Sequence, residues 1–221
     1  MGREELEILK GGVVKRKVKR RIGLFIDGIG LDRATRRLER KVDLSRLVSG
    51  LTSGLQIEVA RYYTLVPYED DARQFAFLDA VERAGLEVIT KRLPPKGVKR
   101  QVSMDVHIAT DVIGFSCGQI KTIVGRQEVG EVSAVSAAAS AVAANGPAPA
   151  IVQAPAAPIA EVKRMCIVVC PSREISYALY GSHLLGAETT LSDFGLYGSS
   201  DGWKGVDRWI DLSTSETIWR D

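Results

Sequence analysis

The sequence contains few of the residue types that usually form disulfide, zinc or histidine-based sites. Among its 221 residues there are only three cysteines and two histidines. The three cysteines are Cys117, Cys166 and Cys170, an odd number without a CxxC spacing. We therefore predict that they are reduced thiols and that they form neither a disulfide framework nor a zinc site. His107 and His183 fall on separate predicted helices, which disfavours zinc binding and a Ser-His-Asp triad.

Two segments lack the properties of a membrane or secretory element. Charged residues begin at Arg3, and no continuous apolar core follows, so the N-terminus does not resemble a signal peptide and we expect a cytoplasmic protein. The stretch 132–160 is rich in alanine and proline and has no charged residue. Its prolines prevent a continuous membrane-spanning helix, and we predict a flexible, low-complexity insertion at about 116–163.

Positive charge is concentrated near the N-terminus, although the net charge is only +3. Residues 10–21 include basic side chains and no acidic one, so we predict that residues 1–21 form a basic tail that contacts a polyanion. A solvated tail without a partner is the alternative. The basic candidates are Lys15, Arg16, Lys17, Lys19, Arg20 and Arg21 in the tail, and Lys96, Lys99 and Arg100 in a second segment.

Apolar runs alternate with helical patterns through the rest of the chain. The patterns predict strands at 22–26, 56–65, 86–89 and 165–169, with helices at 32–51, 72–84, 104–115 and one ending near residue 186. This alternation is typical of a three-layer α/β domain, here spanning 22–221, in which a mostly parallel sheet has helices on both faces. Ligands bind such domains at the carboxyl ends of the strands.

Three carboxylates have positions that suggest a metal site. Asp27 ends the first predicted strand and precedes a glycine turn, and Asp105 and Asp111 lie on or near the helix predicted at 104–115. Carboxylate oxygens suit Mg²⁺ or Mn²⁺. On a regular helix Asp105 and Asp111 would be about 9 Å apart along the axis, so a single ion does not readily take both. A helix-terminal charge and a solvent-facing acid are the simpler interpretations.

The turn after the first strand also imitates the start of a dinucleotide-binding fingerprint. Gly28 and Gly30 have the first two glycine positions, but Arg33 occupies the third. No acidic residue follows a second strand at the required distance, so we do not expect a nicotinamide or flavin cofactor.

Three segments resemble motifs of the NYN domain family, a branch of the PIN-like nuclease fold. They are 26–31 (IDGIGL), 104–112 (MDVHIATDV) and 206–212 (VDRWIDL). Two positions depart from the family pattern. Gly30 stands where the family has asparagine, and Ser172 stands at a normally acidic position after the fourth strand, with Glu174 at the next one.

The resemblance implies metal-dependent cleavage of RNA. By this analogy the catalytic residues are Asp27, Asp105, Asp111 and Glu174, and Mg²⁺ or Mn²⁺ is held by Asp27, Asp105 and Glu174. The basic tail and second basic segment would then contact RNA. The alternative is a catalytically impaired adaptor that binds RNA, another protein or a second copy of the chain, as the changes at Gly30 and Ser172 suggest.

Overall fold

The computed structural model describes residues 19–69, 71–120, 127–128, 162–195 and 205–220. Most of the predicted tail, including Lys15, Arg16 and Lys17, therefore lies outside the described residues, and so does most of the predicted insertion.

The described elements alternate between strands and helices, as the sequence patterns predict. The strands are β1 Lys19–Asp27, β2 Ile57–Val66, β3 Glu87–Arg92, β4 Gln127–Glu128, β5 Val162–Val169, β6 Glu188–Asp193 and β7 Arg208–Asp211. The helices are α1 Gly28–Arg37, α2 Leu44–Thr52, α3 Ala72–Arg83, α4 Asp105–Ser116 and α5 Ser176–Leu184, and 3₁₀ turns cover Arg173–Ile175 and Leu212–Thr214.

The strands form one parallel sheet in the order β4-β3-β2-β1-β5-β6-β7. From β1 the chain first builds the sheet in one direction through β2 and β3, and later builds it in the other direction through β5, β6 and β7. The carboxyl ends of β1 and β5 therefore flank a topological switch point, which is where open α/β sheets bind ligands. The predicted α/β class with a mostly parallel sheet is confirmed.

The alternation of side chains along β1 divides the core into two layers. Leu24 and Ile26 face one side, where they pack in a cluster with apolar residues of α1, α2 and α3. Phe25 faces the other side, where it packs with Ile108 and Phe115 of α4 and with residues of α5. Because successive strand residues point to opposite faces, a central strand covered by helices on both sides is apolar over its covered part, here residues 22–26.

The single helix predicted at 32–51 is wrong, because the structure has two helices there. Glu39, just after α1, adopts a left-handed backbone conformation with φ of 53°, which ends the helix. Val42 then pairs with Trp219 near the C-terminus, and Arg40 lies over the ring of Trp219. The side chain of Asp43 accepts a hydrogen bond from Arg46 N and so starts α2. The long-range contact with Trp219 separates the two helices.

Three further differences concern the extent of the sheet. β1 begins at Lys19, so Lys19, Arg20 and Arg21 belong to the sheet although they were predicted to be tail residues. Gln127–Glu128, within the predicted insertion, pair with β3 as a short edge strand. β6, with its threonine-rich sequence ETTLSD, was not predicted at all.

Two expectations from composition can be compared with the structure. None of the helices in the described residues has both the length and the apolarity needed to cross a membrane. All three cysteines are free thiols, of which Cys166 and Cys170 are buried and Cys117 is exposed.

Candidate active site

Asp27 is held where β1 passes into α1, at the switch point of the sheet. It is the N-cap residue of α1, and its Oδ1 accepts hydrogen bonds from the backbone N–H groups of Ile29 (3.0 Å) and Gly30 (3.2 Å). The carboxylate is buried, with 7% of the residue exposed. An N-cap carboxylate interacts favourably with the positive end of a helix dipole, so the local sequence fixes both its position and its orientation.

The electrostatic surroundings favour the protonated form of Asp27. Burial is the largest cause, and it raises the pKa of the Asp27 carboxyl group to about 6. The negative charge of Asp105 raises this pKa further, whereas the backbone N–H groups of Gly30 and Ile29 and the charge of Arg33 lower it. The structure thus brings Asp27 and Asp105 close enough together for their charges to interact.

Asp105 is the first residue of α4, and a serine from the other side of the switch point contacts it. Ser172 Oγ donates a hydrogen bond of 2.7 Å to Asp105 Oδ1. This contact joins α4 to the turn after β5. Ser172, which the sequence resemblance places at a normally acidic position, therefore supplies a hydroxyl group that orients Asp105 and adds no third charge.

The glycine at position 30 is explained by a close backbone contact. A Cβ atom built on Gly30 would overlap the carbonyl oxygen of Cys170, at the end of β5. Cys170 itself has a left-handed conformation, with φ of 51°, which directs the chain into the next turn. Since no side chain fits at position 30 without movement of this turn, the glycine at position 30 and the conformation of the 170–172 turn belong together.

Asp111 belongs to a buried ion network instead of the Asp27–Asp105 pair. Its Oδ2 lies 2.8 Å from Arg61 Nη1 and accepts a hydrogen bond of 2.5 Å from the Tyr63 hydroxyl group. Arg61 Nε also donates to Glu87 Oε2 at 2.9 Å. Burial lowers the pKa of Arg61, but the charge of Asp111 and the bonds to Asp111 and Glu87 outweigh that effect and raise it. These contacts tie α4 to β2 and β3.

The remaining sequence candidates lie at different places around the sheet. Glu174 is exposed in the 3₁₀ turn after β5. The second basic segment, Lys96, Lys99 and Arg100, is exposed in the loop between β3 and α4, on the same carboxyl edge as Asp27. In contrast, Lys19–Arg21 form the amino end of β1, and Lys19 is about 26 Å from Asp27 along the strand.

Asp193 is a further carboxylate at this edge that sequence analysis missed. It ends β6, and its Oδ1 accepts a hydrogen bond of 2.7 Å from Phe194 N. Burial, and to a smaller extent the charge of Asp211, raise its pKa. The signal was present in the sequence, because a run of β-branched and apolar residues ends in Asp and is followed by Gly195, much as β1 ends in Asp27 before its glycines.

The chemistry of these groups fits a divalent cation held by two carboxylates. Asp27 and Asp105 present carboxylate oxygens that could act as hard ligands, and Mg²⁺ is commonly held by one or two carboxylates together with water and substrate phosphates. Across the part of the chain that the structure describes, no three Asp, Glu, His or Cys side chains are grouped closely enough to hold a metal ion. Glu174 is therefore not brought to the pair as a third ligand. The residues present fit an open, weakly liganded site.

Comparison with known proteins gives a family and a fold. The family model of the NYN domain matches residues 21–124, which run from β1 to beyond α4 and include Asp27, Asp105 and Asp111 but not Glu174. Among solved structures, the chain is similar to a protein of unknown function from Vibrio parahaemolyticus, with a TM-score of 0.59 and 14% identity. The similarity covers 92% of this chain and 98% of the other and concerns the fold alone.

No curated protein matches the chain significantly. The family match starts two residues into β1 and contains two of the three segments on which the sequence resemblance depends, 26–31 and 104–112. The resemblance is thereby confirmed for this part of the chain. Residues 21–124 of the chain therefore match the NYN domain, the domain of a PIN-like nuclease family.

Proposed function

We propose that this chain is a metal-dependent ribonuclease that cleaves RNA phosphodiesters at Asp27 and Asp105. The observation that carries the proposal is the pairing of these two carboxylates at the switch point between β1 and β5. The pKa of Asp27 is raised by burial and by the charge of Asp105. Holding two acidic groups together in this way costs stability, and such an arrangement is typical of functional sites.

The proposed roles follow from the contacts of each residue. Asp27 and Asp105 would hold Mg²⁺ or Mn²⁺, which, when bound, neutralises charge on a phosphoryl group and activates water. The N–H groups of Ile29 and Gly30 orient Asp27, and the Ser172 hydroxyl group orients Asp105. The second basic segment between β3 and α4 would attract the RNA backbone without selecting its sequence.

Cleavage of a labelled single-stranded RNA tests this proposal. With Mg²⁺ or Mn²⁺ present, we expect the wild type to cleave and Asp27→Asn to be slower by about 100-fold or more, because the substitution removes a charge from the metal site. Asp32→Asn is the matched control, since it removes a carboxylate from the exposed face of α1. Full activity in Asp27→Asn would disprove the assignment of Asp27.

The second candidate is an RNA-binding adaptor that has lost turnover. Two points favour it. By the sequence resemblance Ser172 stands at a normally acidic position, and no group of three potential ligands occurs among the described residues. A metal site with only two carboxylates binds its ion weakly, so the fold and the RNA contacts could persist without efficient cleavage. Under this hypothesis the wild type binds RNA and leaves it intact.

A substitution at Ser172 distinguishes the two candidates. Ser172→Asp places a third carboxylate beside Asp105, so we expect half-maximal cleavage at about tenfold lower Mg²⁺ concentration, or a gain of cleavage if the wild type has none. Ser172→Ala is the control, because it removes the hydrogen bond to Asp105 without adding a charge. Equal behaviour of the two variants would rule out a metal-ligand position at residue 172.

A further inference from the structure

A cleft of about 300 Å³ lies beside the Asp27–Asp105 pair, between α1 and the turn after β5. The small residues Gly30 and Ala34 of α1 form part of its wall. Because Gly30 is in close contact with Cys170, the cleft lies directly at the switch point. Its positively charged lining comes from two separate elements, as Arg33 and Arg37 belong to α1 and Arg173 belongs to the 3₁₀ turn. We call it the arginine cleft.

The charge of the arginine cleft is mainly positive. Among the described residues that line it, three are arginines and one is a carboxylate, Asp193. Arginine side chains in the last turn of a helix interact favourably with the negative end of the helix dipole, which accounts for the presence of Arg37. It does not account for Arg33, which lies in the middle of α1, or for Arg173, which lies on another element. The dipole therefore does not explain why these two side chains border the same cleft.

The position of Arg33 connects the cleft to the carboxylate pair. The positive charge of Arg33 lowers the pKa of Asp27, so the guanidinium group acts within the range of the proposed metal site. Guanidinium groups bind phosphate through paired N–H donors, and their charge is retained at every physiological pH. A phosphate in the cleft would thus lie next to the phosphodiester whose charge a metal ion at Asp27 and Asp105 would neutralise.

We propose that the arginine cleft binds a phosphate group of the RNA strand adjacent to the phosphodiester that is cleaved. This inference rests on the proposed nuclease function and specifies how the strand is positioned there. The phosphate has two possible sources with the same chemistry, namely an internal phosphodiester or a terminal 5′-monophosphate. If the bound phosphate is an internal phosphodiester, the strand passes through the cleft and the 5′ end does not matter. If it is a terminal monophosphate, binding depends on whether the RNA carries a phosphate at its 5′ end.

RNA affinity of the full chain, measured without divalent metal so that the RNA stays intact, tests this inference. For Arg33→Gln combined with Arg173→Gln, we expect the Kd for a 3′-labelled single-stranded RNA to rise about tenfold. The slope of log affinity against log salt should fall by about one, because one phosphate contact is lost. Both side chains are exposed, so the fold is expected to persist.

Arg36→Gln is the matched control, because Arg36 lies on the same helix but pairs with Asp32 away from the cleft. Its Kd should change by less than about twofold. A 5′-monophosphate RNA and a 5′-hydroxyl RNA of the same sequence identify the source of the phosphate. Equal weakening of both RNAs by the double substitution indicates an internal phosphodiester, and selective weakening of the 5′-monophosphate RNA indicates a terminal one.

The inference is overturned if the double variant binds both RNAs as tightly as Arg36→Gln does. If instead the nuclease proposal fails, the wild type leaves RNA intact in the presence of Mg²⁺ and Mn²⁺. That result does not depend on how much the arginines contribute to RNA affinity. The cleavage and affinity measurements therefore separate the two failures.

Discussion

Replacing Asp111 with alanine is expected to lower the free energy of unfolding by about 3 kcal/mol, as is typical when one partner of a buried ion pair is removed. Asp111 accepts bonds from Arg61 and from the Tyr63 hydroxyl group, and both of these residues are almost fully buried. Without Asp111, Arg61 keeps one acidic partner among the described residues, Glu87, and the Tyr63 hydroxyl group loses its acceptor inside the core. Urea denaturation at neutral pH measures the change.

Asp32→Ala provides the matched control for Asp111→Ala. Asp32 pairs with Arg36 on the surface of α1, where both side chains are more than half exposed, so its removal should change the unfolding free energy by less than about 0.5 kcal/mol. Similar losses for the two variants would contradict a buried ion network. A folded Asp111→Asn variant that no longer cleaves RNA would instead support the catalytic role suggested by the family motif.

Replacing Asp27 with asparagine is expected to stabilise the protein above about pH 6, even though it removes the proposed metal ligand. The folded pKa of Asp27 is about 6, against a reference value of 3.8, so between these values the folded state binds more protons than the unfolded state. Stability contributed by protonated Asp27 is therefore lost as the pH rises through this window. Asparagine avoids this loss and retains an oxygen that caps α1.

Denaturation curves for the wild type and Asp27→Asn at several pH values measure this effect. We expect the two proteins to be equally stable below about pH 4 and the variant to be more stable by up to about 3 kcal/mol above about pH 6. Adding Mg²⁺ should raise the stability of the wild type and have little effect on the variant. A difference in stability that is independent of pH would contradict the burial of an ionisable group at position 27.

Much of the architecture was predictable because it depends on local patterns. β1 and β5 each contain a continuous apolar run, at 22–26 and 165–169, as expected for strands covered on both faces. Ile108, Val112 and Phe115 of α4, and Met104 just before it, are at helical spacing and all buried. The position of Asp27 follows from the same rules, since a strand that ends in Asp-Gly and leads into a helix places its carboxylate at the N-cap.

Other features could not be predicted because they depend on contacts between distant segments. The division of the 32–51 region into α1 and α2 depends on Trp219, which is far away in sequence. β6 escaped prediction because its threonines and serine reduce the apolar signal, although they are buried in the sheet. Asp193 was missed together with this strand.

The sequence by itself determined the α/β alternation, the carboxylate at the end of β1 and the family of residues 21–124, because these depend on local propensity and on short motifs. Only the tertiary structure decided what each acidic residue contacts. It brings the charge of Asp105 within electrostatic range of Asp27, places Asp111 against Arg61, and places Ser172 against Asp105. Residues on different strands and helices meet only when the sheet order is fixed, and that order depends on the packing of the whole chain.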